Sequence, residues 1–153
     1  MKKIYLALLL LIPVIGFSQQ FIGKSKSQVK KELQHQIKKN DTLSIVLTEN
    51  DSSLICSIKD KKISPADFIY GFDKAGKCQS EKVIVGCDSC YKKFLQGVLT
   101  QKKYGWKKIN ENQYVSKYAA QMMIELPTDN KSFQYIILRT EWNKELYDMM
   151  TGN

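Results

Sequence analysis

The sequence predicts an α+β fold, in which antiparallel meander strands build one sheet, or two fused ones, and two main helices lie on one face. Three observations predict it. Apolar residues recur at helical spacing in two stretches, Val29-Leu33-Ile37 and Tyr91-Phe94-Leu95-Val98-Leu99. Stretches of alternating apolar and polar residues follow each helix, and the turns between them are too short for parallel crossovers. The order of helix, then strands, occurs twice, in the halves 21–86 and 87–153. The simplest form of that repeat is a helix plus three strands per half.

Each element follows from local pattern. Ser25, with Gln28 three residues on, makes a capping box before the first helix. Its apolar stripe of Val29, Leu33 and Ile37 is narrow, with Lys31, His35 and Lys38 opposite, as suits a helix lying on a sheet. Asn40-Asp41 ends it. Residues 42–48 alternate through Leu43, Ile45 and Leu47, with Val46 out of phase, and Glu49-Asn50-Asp51-Ser52 is a turn. Leu54, Cys56 and Ile58 share a face of the next strand; after a charged connection, 59–65, Phe68, Tyr70 and Phe72 do the same. Lys74-Ala75-Gly76-Lys77 turns the chain into a strand over 78–86, whose buried end is Val83-Ile84-Val85. Asp88 suits the N-cap of the second helix, which ends near Gln101 before Lys102 would enter its apolar face. Residues 106–109 and 113–117 flank a hairpin turn, and 120–126 alternate up to the turn Pro127-Thr128-Asp129-Asn130. The stretch 133–139 is apolar on both sides at Tyr135-Ile136-Ile137-Leu138, which suits a central strand. Residues 141–150 form a short helix or a packed tail.

Lys2 and Lys3 precede an apolar run of 14 residues, 4–17, and Gly16-Phe17-Ser18 places small residues where signal peptidase cuts. This predicts a signal peptide over 1–18 and a single exported domain over 19–153, periplasmic or secreted. The run is shorter than the roughly 20 residues of a spanning helix. No later stretch is apolar enough, so no transmembrane segment is expected after the leader is removed.

The formal charge is +9, and +7 once Lys2 and Lys3 leave with the leader. Arg139 is the single arginine. Base-edge recognition leans on arginine, so specific nucleic-acid binding is excluded as a reading. The lysines read as a solubilising surface, or as a match for an anionic envelope component.

Cys56, Cys78, Cys87 and Cys90 are even in number, which in an exported chain reads as disulfides. Three pairings are open, and bridges from Cys78 to Cys87 or Cys90 are preferred because the chain folds back there. Cys87-Asp88-Ser89-Cys90 also stands where a strand leads into a helix, the setting that stabilises a reactive thiolate. Pro127, ahead of a later strand, favours that redox reading. Three features oppose it. The meander context lacks a strand–helix–strand unit, Gly86 stands where an aromatic residue usually precedes such a pair, and Asp88 raises the thiol pKa. With only one close cysteine pair, no zinc site is expected, and no other cofactor is implied. His35, the single histidine, lies opposite an apolar stripe, and neither a nucleophile elbow nor a phosphate-binding glycine loop occurs.

Tyr104, Trp106 and Tyr114 interleave with Lys107 and Lys108, and aromatic rings beside cations suit sugars, peptides or lipid headgroups. These five are the binding candidates; the alternative is that the rings pack under the sheet. Residues 21–33, FIGKSKSQVKKEL, resemble the opening helix of small periplasmic modules of the outer-membrane-assembly lipoprotein (SmpA/OmlA) family. The resemblance implies helices against an antiparallel sheet and action by binding other proteins. This chain lacks that family's lipid-bearing cysteine and the Gly-x-Pro after the helix, so no functional residue is carried over. The reading is therefore an exported, non-enzymatic binding module whose partner is a protein or an envelope component. A thiol–disulfide oxidoreductase using Cys87 and Cys90, and a secreted inhibitor of a partner enzyme, are the alternatives.

Overall fold

The computed structural model describes residues 21–60, 64–128 and 133–152, so the expected leader over 1–18 and parts of the connections 59–65 and 127–130 lie outside the described residues. In chain order the elements are α1 (Lys26–Lys39), β1 (Ile45–Glu49), β2 (Ser53–Ile58), β3 (Ala66–Phe72), β4 (Cys78–Val85), α2 (Asp88–Leu99), β5 (Lys107–Asn110), β6 (Gln113–Val115), β7 (Met122–Glu125), β8 (Gln134–Arg139) and α3 (Lys144–Thr151). The strands form one antiparallel sheet in the order β1-β2-β3-β4-β8-β7-β6-β5. Each half contributes a four-strand meander, one strand more than the simplest repeat requires, and the two last strands, β4 and β8, join them at the centre.

That topology dictates what α2 must do. The chain leaves central β4 and must begin β5 at the far edge, four strand spacings away, or about 19 Å. A helix of 12 residues, about 18 Å long, covers that distance. α1 and α2 share one face. Glu49 on β1 takes Lys30 of α1 at 2.6 Å and Lys26 at 3.2 Å, and these two hydrogen bonds hold its carboxyl below the ordinary value. From α2, Phe94 meets Phe68 edge-on at 5.6 Å and Tyr91 lies 6.3 Å from Tyr135.

The core follows from register. Across the helix-bearing face runs the row Leu47-Cys56-Phe68-Val83-Tyr135, and beside it Leu54-Tyr70-Glu81-Ile137-Ile124. These residues are buried, apart from the half-buried edge residue Leu47. Cys78 is out of phase with Glu81, Val83 and Val85, yet a register shift between Gly71 and Phe72 turns it inward as well. Glu81, 2% exposed, accepts the Phe21 N–H at 3.1 Å. The leading segment is thereby fastened over the core, with further bonds from Gly23 N–H to Cys78 O and from Cys78 N–H to Lys24 O, both 2.8 Å. Phe21 in turn meets Tyr70 edge-on at 5.2 Å.

The capping box of α1 forms: Ser25 Oγ takes the Gln28 N–H, and Gln28 Oε1 takes the Ser25 N–H at 2.9 Å. Ser25→Ala should therefore cost about 1 kcal/mol in urea unfolding. An unchanged midpoint would mean that the docked leading segment, not the cap, holds the helix start.

α3 lies on the opposite face, at the β5–β6 end. Lys107, whose cross-strand partner is Val115, donates to the Thr151 carbonyl, and Val115 is sealed there, outside the main core. Gln121 ties this helix down: its side chain takes the Trp142 N–H at 3.0 Å and donates to the Trp142 carbonyl at 3.1 Å.

Candidate functional site

Three features compete for function: the cysteine junction, the aromatic–lysine group, and the sheet face left open by α1 and α2.

At the junction, Cys87 and Cys90 are joined as a disulfide, with Cα atoms 5.2 Å apart. The expected bridge from Cys78 does not form, because the strand register places that thiol inside the core, with its Sγ 3.6 Å from the Ser80 carbonyl. Cys87, not Asp88, is the N-cap of α2: its Sγ accepts the Cys90 N–H at 3.1 Å and lies 3.3 Å from Ser89 Oγ. Asp88 is the first helical residue, and its carboxylate is held by Lys92 at 2.6 Å, which offsets part of its field on the sulfur. Cys90 packs against the core, whereas Cys87 stands at its rim. No peptide bond is cis among the described residues, and Pro127 lines a shallow cavity with Lys82, Glu125 and Gln134.

The free thiols differ sharply. Burial pushes Cys56 up to about 11, with Asp67 adding to it. Burial, and then Glu81, push Cys78 up to about 12. Neither supplies a thiolate near neutrality. Tyr70, buried beside the same Glu81, is raised well above an ordinary phenol, mainly by desolvation.

The five aromatic and lysine candidates do not share one surface. Tyr104, Trp106 and Tyr114 are half-buried against the core, and Trp106 Nε1 is enclosed without a hydrogen-bond partner among the described residues. Lys103 lies over the Tyr104 ring at 4.5 Å. Lys107 and Lys108, adjacent on a strand, project to opposite faces, and Lys107 is occupied by α3. A second ring group, Tyr118-Tyr147-Trp142, packs where α3 meets the sheet.

The open face has its own register. One row runs Ile55-Ile69-Lys82-Ile136-Glu125, and its flanks carry Ile84 on one side and Leu138 and Met123 on the other. All of these residues are half-buried. Among the described residues, α1 packs on β2 and α2 on β4 from the other face, and α3 packs on β5. Val46, on the same face at the β1 edge, is 46% exposed. The alternation of single strands does not reveal this surface; its signal in the sequence is the set of isoleucines standing out of phase with the core residues.

Taken together, fold and surface define an α+β protein with a partly apolar, half-buried sheet face opposite α1 and α2 and a disulfide at a helix start. Comparison with protein-family models, curated proteins and solved structures finds no match.

Proposed function

We propose that the protein is an exported, non-enzymatic binding module that engages another protein through its open sheet face. The observation that carries this is the row Ile55-Ile69-Lys82-Ile136-Glu125, in which Lys82 stands between two isoleucines and Glu125 ends the row beside Ile136. Apolar side chains interspersed with a few charged ones on one sheet face match the mixed composition of protein interfaces. The leader over 1–18 supports the exported setting, and the likeness of residues 21–33 to binding modules points the same way. Inhibition of a partner enzyme is one form such binding takes. Among the described residues no helix is long and apolar enough to cross a membrane.

The test changes the face without changing the core. Ile69→Thr with Ile136→Thr keeps both β-branches and removes the apolar contact surface. Expected is loss, tenfold or more in affinity, of the partner that wild type captures from envelope extract, with circular dichroism unchanged. Equal capture by the folded double variant would overturn the reading.

A further inference from the structure

We propose that Cys87–Cys90 is an exchange-competent disulfide whose substrates are accessible thiols, with Cys87 as the sulfur that is attacked. The proposal is independent of what binds the open sheet face, and it adds to that non-enzymatic binding role a thiol–disulfide activity at a separate place in the fold. Four observations carry it.

First, the bridge spans a sequence separation of 3. So small a loop removes little entropy from the unfolded chain, so the bond does little of the stapling that a long-range disulfide does. Second, the site is built to hold a thiolate at Cys87. Its Sγ already accepts the Cys90 N–H at 3.1 Å at the start of a 12-residue helix, with the Ser89 hydroxyl at 3.3 Å. On reduction the same donors and the helix dipole favour the anion. Third, both cysteines are half-buried, but Cys90 packs against the core, while Cys87 has exposed residues on both sides, Gly86 and Asp88, with Ser89 exposed as well. Fourth, Cys56 and Cys78 are sealed in the core, so exchange at the surface leaves them out.

The chemistry balances. A substrate thiolate attacks Cys87 Sγ, a bond forms between the two sulfurs, and the Cys87–Cys90 bond breaks. Its electron pair leaves on Cys90, which then takes a proton. A second thiol of the substrate, as thiolate, attacks the substrate sulfur of this mixed disulfide. The substrate disulfide forms, and Cys87 departs as the thiolate held by the Cys90 N–H. In sum, a dithiol loses two electrons and the pair gains them; run backwards, the reduced pair reduces a disulfide.

The experiment uses the folded exported chain in graded mixtures of reduced and oxidised glutathione, quenched with acid, alkylated and mapped by mass spectrometry. Expected is reversible conversion of the 87–90 pair between disulfide and dithiol with circular dichroism unchanged and with Cys56 and Cys78 unmodified. In oxidised glutathione the Cys90→Ser variant should accumulate the mixed disulfide at Cys87 at least tenfold faster than Cys87→Ser accumulates it at Cys90. A pair that reduces only when the chain unfolds would overturn the proposal, as would equal or reversed rates in the two variants. Should Cys90→Ser fail to fold, the wild-type titration still decides.

Discussion

Raising the pH above about 9 should destabilise this protein steeply, and two buried thiols should be the main cause. Cys56 and Cys78 are both 0% exposed, with pKa values pushed from 9.0 up to about 11 and about 12. The folded state thus keeps two protons that the unfolded chain has already released. Where the unfolded state binds fewer protons, stability falls as pH rises. The contribution is complete below about pH 9 and is lost as pH climbs toward the folded values. Each thiol adds a slope of about 1.4 kcal/mol per pH unit, so the loss reaches several kcal/mol by about pH 11. Tyr70, also raised by burial, joins above about pH 10, where an unfolded tyrosine starts to titrate. Urea midpoints measured from pH 8 to 11 check this. The Cys56→Ala/Cys78→Ala protein should begin less stable, having lost core volume, yet show a shallower decline between pH 8.5 and 10. An equally steep decline in that variant would place the alkaline sensitivity elsewhere.

The same two cysteines show where sequence reading works and where it stops. α1 was legible because its signals are local: a capping box, a stripe at every fourth residue, and Asn40 at the end. Strand positions were legible to within a few residues for the same reason, as was a central β8, apolar on both sides because it lies between β4 and β7. The pairing of β4 with β8 was not legible, since it joins segments some fifty residues apart and no local pattern selects it. The bridge from Cys78 failed on this ground. Nearness along the chain suggested it, but a register shift beside Gly71 turned the thiol into the core. At the helix start, cap preference favoured Asp88, whereas the Cys87 sulfur took that role and left the carboxylate to Lys92. Glu81 is hidden in the sequence among the polar residues of 79–82. Its phase with Val83 and Val85 was the available signal that it faces inward, and it holds the N–H of Phe21.

Phe68→Ala should cost about 3–5 kcal/mol, the range for emptying a fully buried aromatic site. Phe68 is 0% exposed, stands between Cys56 of β2 and Val83 of β4, and meets Phe94 of α2 at 5.6 Å. No single neighbour can collapse into the space, because three elements wall it. The damage should also be directional. α2 loses its central contact with the first meander, so hydrogen exchange should accelerate across 88–99 more than across 26–39, where α1 rests on other residues. The control is the next residue along the same strand. Ile69 faces the open side and is half-buried, so Ile69→Ala should cost less than half as much. Urea unfolding of the two variants therefore measures which face of the sheet is core and which is free. If Ile69→Ala proved as costly as Phe68→Ala, the face assigned to partner binding would be packed in the isolated protein, and the proposed mode of binding would fall with it.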